Sequence, residues 1–143
     1  MSERTVSKVI GKPDDLNLEL FQAIVSGGHM CLQRCDNCGR YSHPPRMYCG
    51  NCFSGDYSYP EISGAGTVYS YTISRHTAEP AWQDELPYLT VVVELDEGPR
   101  VVGAATLPDP TMVKIGQRVH VVPEKRTDDF AYFTVVFDED GAS

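Results

Sequence analysis

Four of the five cysteines fall into two pairs at metal-ligand spacing: Cys35-Asp36-Asn37-Cys38 and Cys49-Gly50-Asn51-Cys52. Each pair is a C-x-x-C knuckle, whose tight turn lets two thiolates converge on one ion, and two knuckles complete a closed tetrahedral S4 site. Such a site has no open coordination position, so it holds the chain together and leaves reaction chemistry elsewhere. A dithiol redox motif needs one pair at a helix start after a strand. Here there are two pairs, set among the turn formers Asn37, Gly39, Gly50 and Asn51. Two disulfides are an alternative, but Met1–Thr5 carries no apolar signal segment. Iron also fits an S4 site. Structural zinc on Cys35, Cys38, Cys49 and Cys52 is the expectation, with Cys31 a small buried hydrophobe on a strand.

No residue is expected to be catalytic. No candidate nucleophile sits in a recognisable elbow or beside a local base. His29, His43, His76 and His120 are scattered, and the acidic pairs Asp84-Glu85 and Asp128-Asp129 lie in loop-like stretches. The stretch Ser74–Pro87, with the single Trp82 and two prolines, is the better place for a contact. Trp and Arg are enriched at interface hot spots, and Arg46, Arg75 and Arg100 can meet a phosphate or a carboxylate through two parallel hydrogen bonds.

The elements that must position these residues follow from pattern. Pro13-Asp14-Asp15 starts a helix with acids where the helix dipole favours them. Leu16, Leu20, Ala23 and Ile24 recur at helical spacing, and Gly27-Gly28 ends it. This helix and the Trp82 loop are expected to be partly buried by another subunit. His29–Arg34 is expected as a strand entering the first knuckle, and Tyr57–Ile62 as an extended run leaving the second. From Gly64 and Gly66 onward the pattern becomes strands: 67–74, 88–95, 100–106, 117–124 and 131–138. Asp96-Glu97-Gly98-Pro99 is a short hairpin turn. Five strands without a helix between them predict a small barrel, commonly an OB-fold. The expected order is a polar arm (1–12), the helix (13–28), a zinc ribbon (29–62), the OB-fold (63–138) and an acidic tail (139–143), a mainly β chain.

At 143 residues the chain suits one modest domain or a small module joined to one. Twenty acidic against twelve basic residues give a net charge of -8. That opposes nucleic-acid binding, which rests on clustered Lys and Arg, and binding to an anionic membrane. No run is long enough to span a bilayer. Cysteine usage points to the cytoplasm.

One family shares this order of motifs. The matching stretches are Cys35–Gly39, Pro44-Pro45-Arg46, Cys49–Cys52, Ser63–Ser70 and Val93–Arg100. Over about Leu16 to Val136 the chain resembles the acyl-CoA-associated OB-fold family with an N-terminal rubredoxin-like zinc ribbon. The resemblance implies a non-catalytic accessory subunit of a thiolase-fold enzyme: a thiolase, an acyltransferase or a lipid-transfer-type aldolase that cleaves steroid side chains, and sometimes a hydratase. It implies a place beside the enzyme dimer with an acyl-CoA ester at or near the interface, and symmetry makes two accessory chains on one enzyme dimer the simplest assembly. His43 stands where that family often has an aromatic residue, and Gly50 where it often has Pro, but the ligand pattern survives both changes. Two alternatives stay open on the residues alone. One is a nucleic-acid-binding ribbon/OB protein with bases stacked on Tyr69 and Tyr71, opposed by the net charge. The other is an iron-binding electron carrier, which colour would reveal.

Overall fold

The computed structural model describes residues 13–138; the expected polar arm and acidic tail lie outside them. Helix α1 (Asp15–Gly27) begins where its acids predict, and the Asp14 carboxylate caps it by accepting from the Asn17 amide at 2.9 Å. It ends at Gly28, whose left-handed backbone (φ 73°) lets its N–H reach the Ile24 carbonyl. Leu20 and Ile24, one turn apart, are its fully buried residues.

Three short strands follow: β1 (Gln33–Cys35) lies between β2 (Tyr41–Ser42) and β3 (Tyr57–Ser58), antiparallel to both. The expected strand over His29–Arg34 is therefore shorter. Cys31 makes only an isolated bridge to Glu61, and the Leu32 amide donates to the Pro60 carbonyl at 3.4 Å. Pro60 has no N–H to return that bond, so the ladder is interrupted there.

Five strands form a closed barrel: β4 (Ala65–Ser74), β5 (Tyr88–Leu95), β6 (Arg100–Ala105), β7 (Arg118–Thr127) and β8 (Phe130–Phe137), in the order β4-β5-β6-β8-β7. Every pairing is antiparallel except β6 with β8, which runs parallel through Ala104↔Thr134 and Ala105↔Val135. These are the five strands expected from the sequence, with ends moved by a few residues. Strand β5 alternates strictly, and Leu89, Val91, Val93 and Leu95 point inward. Two glycines permit closure. A Cβ on Gly66 would lie 2.4 Å from the Glu94 carbonyl oxygen, and one on Gly103 would lie 2.8 Å from that of Phe133.

The three parts share their interiors. Met30, Leu32 and Ile62 from the ribbon sit in one apolar cluster with Val68, Val93, Val119 and Val121 of the barrel. Leu20 and Ile24 meet Cys31 and Ala131 in a second cluster, and the Phe21 ring lies 4.9 Å from that of Phe130. The helix thus covers the barrel's own strand β8, and none of its apolar residues is among the large exposed ones. The surplus expected there lies elsewhere: Met47, Tyr48 and Phe53 on the ribbon are 59%, 61% and 77% exposed.

Candidate metal centre and its surroundings

The two knuckles are built on one plan. In the first, the Gly39 amide donates to the Cys35 carbonyl and the Cys35 amide to the Arg40 carbonyl, both at 2.9 Å. In the second, Phe53 donates to Cys49 and Cys49 to Ser54, again at 2.9 Å. Each knuckle needs a left-handed residue after its second cysteine: Gly39 (φ 82°) in one, Phe53 (φ 65°) in the other. Glycine takes that conformation freely, whereas a non-glycine residue there is strained by about 1–3 kcal/mol.

The four thiol sulfurs lie within 4.8 Å of one another, with Cys35 Sγ 3.5 Å from Cys52 Sγ and Cys38 Sγ 3.6 Å from Cys49 Sγ. A tetrahedral zinc with Zn–S bonds of about 2.3 Å requires S···S edges of about 3.8 Å, so the donor set fits one ion. Surrounding N–H groups favour the thiolate. The Asn37 amide lies 3.3 Å from Cys52 Sγ, and the Asn51 backbone N–H lies 3.3 Å from Cys49 Sγ. Cys38 is drawn below the ordinary thiol value chiefly by the Asn51 side chain, Cys49 by the Cys52 amide and Cys52 by the Asn37 side chain. Cys35 goes the other way. The Cys38 amide lowers it, but burial and the hydrogen bonds shared with Cys52 and Cys38 outweigh that. Three thiols biased toward the charged form suit metal binding, which requires deprotonated ligands.

Family models and relatives agree with this geometry. Residues 31–58 match "ChsH2, rubredoxin-like zinc ribbon domain", and residues 59–124 match "ChsH2, C-terminal OB-fold domain". A DUF35 domain-containing scaffold protein of Methanothermobacter thermautotrophicus is 34% identical over 99 residues, which cover 68% of this chain and 71% of that protein. The chain belongs to the ChsH2/DUF35 family. A solved structure described as an Ltp2-ChsH2(DUF35) aldolase superposes with a TM-score of 0.76 at 30% identity, over 87% of this chain and 96% of that one. The probable enoyl-CoA hydratase alpha subunit of Thermomonospora curvata is 39% identical over 90 residues, but the matched region is only 28% of its length. For this ChsH2/DUF35 chain the cofactor is the zinc of a rubredoxin-like ribbon, with four cysteines positioned to bind it.

The other candidate residues do not converge on one site. Arg100 is held within the barrel, with Nε 3.3 Å from Glu94 Oε2 and its guanidinium 3.7 Å above the Tyr69 ring. That guanidinium already covers the ring on which a base would stack. Trp82 lies on a 3₁₀ turn (Pro80–Glu85) with its ring 5.5 Å from that of Tyr88, and with Val102 and Tyr132 it lines a groove of about 530 Å³. Arg75 is exposed near Asp109. Tyr88 and Glu94 are six residues apart on β5, so the Trp82 and Arg100 ends are separated by about 20 Å. Arg46 belongs to the ribbon, and its guanidinium rests over Gly50, where a Cβ would come within 2.7 Å of Nη1.

Two groupings escaped the sequence. Cys31 Sγ lies 3.4 Å from His29 Nδ1, and His29 Nε2 lies 3.9 Å from Glu61. The order is that of a thiol–imidazole–carboxylate triad, but Cys31 is 1% exposed and its thiol is raised by burial and by the Glu61 charge. A buried thiol of raised pKa is inert. The second is a cleft of about 440 Å³ that brings Arg40, His43 and Arg46 of the ribbon to Glu97 in the β5–β6 turn. Burial holds His43 below the usual imidazole range, hence neutral. Of its residues, the sequence singles out only Arg46 as a contact.

Proposed function

We propose that the chain is a non-catalytic accessory subunit that docks on a thiolase-fold enzyme and helps form or stabilise its acyl-CoA site, with structural zinc on Cys35, Cys38, Cys49 and Cys52. The observation that carries this reading is the superposition on 96% of a chain described as part of an Ltp2-ChsH2(DUF35) aldolase. The closed S4 site supports it, since four protein ligands leave no position for substrate. The buried, inert Cys31 also supports it, because the one triad-like grouping among the described residues has no accessible nucleophile.

Docking would use apolar surface that the chain does not cover itself. Met47, Tyr48 and Phe53, on and beside the second knuckle, form such a surface, and the Trp82 groove at the far end of the barrel is a second contact, while Arg46, Arg75 and Arg100 offer separate cationic contacts. The partner class we assign is a thiolase, acyltransferase or steroid side-chain aldolase acting in the cytoplasm. Symmetry makes two accessory chains on one enzyme dimer the simplest assembly. Co-expression with a thiolase-fold enzyme of the same host, followed by light scattering of the purified material, tests this. A stable 2:2 complex is expected, while the chain alone turns over no acyl-CoA. Thioester or aldol chemistry that tracks the isolated chain through purification would refute the accessory role.

A further inference from the structure

Hydrogen-bond donors reach the four sulfurs in a reciprocal pattern across the two knuckles. The first cysteine of each knuckle is buried and takes a backbone N–H of its own knuckle. Cys38 N lies 3.5 Å from Cys35 Sγ, and Asn51 N lies 3.3 Å from Cys49 Sγ. The second cysteine of each is the more accessible one, Cys38 exposed and Cys52 half-buried. Each of these takes a side-chain amide from the opposite knuckle. Asn37, between Cys35 and Cys38, places Nδ2 3.3 Å from Cys52 Sγ. Asn51, between Cys49 and Cys52, donates its side-chain amide to Cys38. The backbone completes the correspondence, with the Arg40 amide at Cys38 and the Ser54 amide at Cys52.

Turn propensity explains an asparagine in each knuckle, but not where these two side chains point. Both residues are exposed, so water could satisfy either amide. Each amide instead crosses to the sulfur that solvent and reagents can reach. An N–H···S bond draws electron density off a thiolate and makes it less nucleophilic. Groups that orient metal ligands in this way typically contribute 10–100-fold to metal affinity. Because the donors cross, they tie the halves of the ribbon together through the sulfurs as well as through the ion. We propose that Asn37 and Asn51 are reciprocal positioning residues, each holding the accessible thiolate of the opposite knuckle on the zinc and slowing release of the ion.

Zinc-loaded chains carrying Asn37→Ala, Asn51→Ala or both test this. Competition with a chromophoric chelator is expected to show zinc binding weakened about tenfold in each single variant and further in the double, with the site still filled at saturation. Limited alkylation with iodoacetamide, mapped by mass spectrometry, is expected to cross between knuckles. Asn37→Ala should raise labelling of Cys52, and Asn51→Ala that of Cys38, each several-fold. With cobalt(II) in place of zinc, losing a donor raises the sulfur lone pairs in energy. The thiolate-to-cobalt charge-transfer band should therefore move to longer wavelength, since hydrogen bonds to sulfur tune a metal–thiolate centre. Asn37→Asp with Asn51→Asp keeps the shape and the turn propensity but removes both donors, and should reproduce these changes. Unaltered zinc affinity overturns the proposal, and so does labelling that rises within the mutated knuckle instead of across from it. Weaker zinc binding with an unmoved cobalt band, or Asp variants that behave as wild type, would reduce both asparagines to turn formers and overturn it too.

Discussion

Arg46 clamps Gln33 through its backbone: its N–H donates to Gln33 Oε1 and its carbonyl accepts from Gln33 Nε2, both at 2.8 Å. Gln33 is 4% exposed and precedes Cys35 by two residues, while Arg46 precedes Cys49 by three. One buried amide therefore ties the strand entering the first knuckle to the chain entering the second, independently of the metal. Gln33→Leu keeps the bulk and removes both bonds, so a loss of about 2 kcal/mol is expected, read as a lower midpoint in urea with an unchanged slope.

The metal itself should dominate. Cys49→Ser leaves three soft ligands, and the double change Cys49→Ala, Cys52→Ala leaves one knuckle. Structural zinc contributes on the order of 10 kcal/mol to folding in small zinc modules. Elemental analysis is expected to give one zinc per wild-type chain and none for the double variant, whose thermal transition should fall or vanish. An intact metal in the double variant would remove these thiols from the site.

Stability should decline on the alkaline side for identifiable reasons. The Cys31 thiol is raised above its ordinary 9.0 by burial and by Glu61. Tyr59 is pushed from 10.0 up to about 12 by burial, then by the charge of Glu19. For both, the folded state holds the proton more tightly than the unfolded one. Their contribution is therefore full below the unfolded values and is lost as pH rises through the folded ones. Thermal midpoints measured from pH 8 upward should begin to fall near pH 9. Cys31→Ala and Tyr59→Phe should each flatten part of that slope.

Phe53 separates stability from docking. It is 77% exposed and held in a left-handed conformation that its counterpart Gly39 adopts freely. Phe53→Gly should relieve strain and stabilise the isolated zinc-bound chain by up to about 1 kcal/mol. If the ring belongs to the docking surface, the same change should weaken the enzyme complex. A variant that gains stability and binds its partner unchanged would take Phe53 out of the interface.

Local chemistry made much of this legible in the sequence. Pro13-Asp14-Asp15 and Gly27-Gly28 bracket α1 to within two residues, and β-branched and aromatic runs between turn signals mark all five barrel strands. The four ligands were legible because a C-x-x-C turn brings its thiols together by itself. What stayed hidden depends on distant pairings. Glu97 shares a cleft with Arg40 and Arg46 only because the β5–β6 turn folds back on the ribbon. Arg100 reads as a free cation until the register puts Glu94 opposite it and Tyr69 beneath it. The helix looked too apolar for a small barrel because nothing local announces that Phe130 and Phe133 will receive Phe21.

Met30, Leu32 and Ile62 are ribbon residues by sequence, but their side chains lie among the barrel valines. The boundary that divides the chain into two recognisable motifs is therefore not a line along which it can come apart. Stripping the ion would empty part of the barrel's interior as well as freeing the knuckles. Heating the zinc-bound chain should give one calorimetric peak in place of two, and protection against hydrogen exchange should disappear from ribbon and barrel together. In a cell short of zinc, this chain would be withdrawn whole.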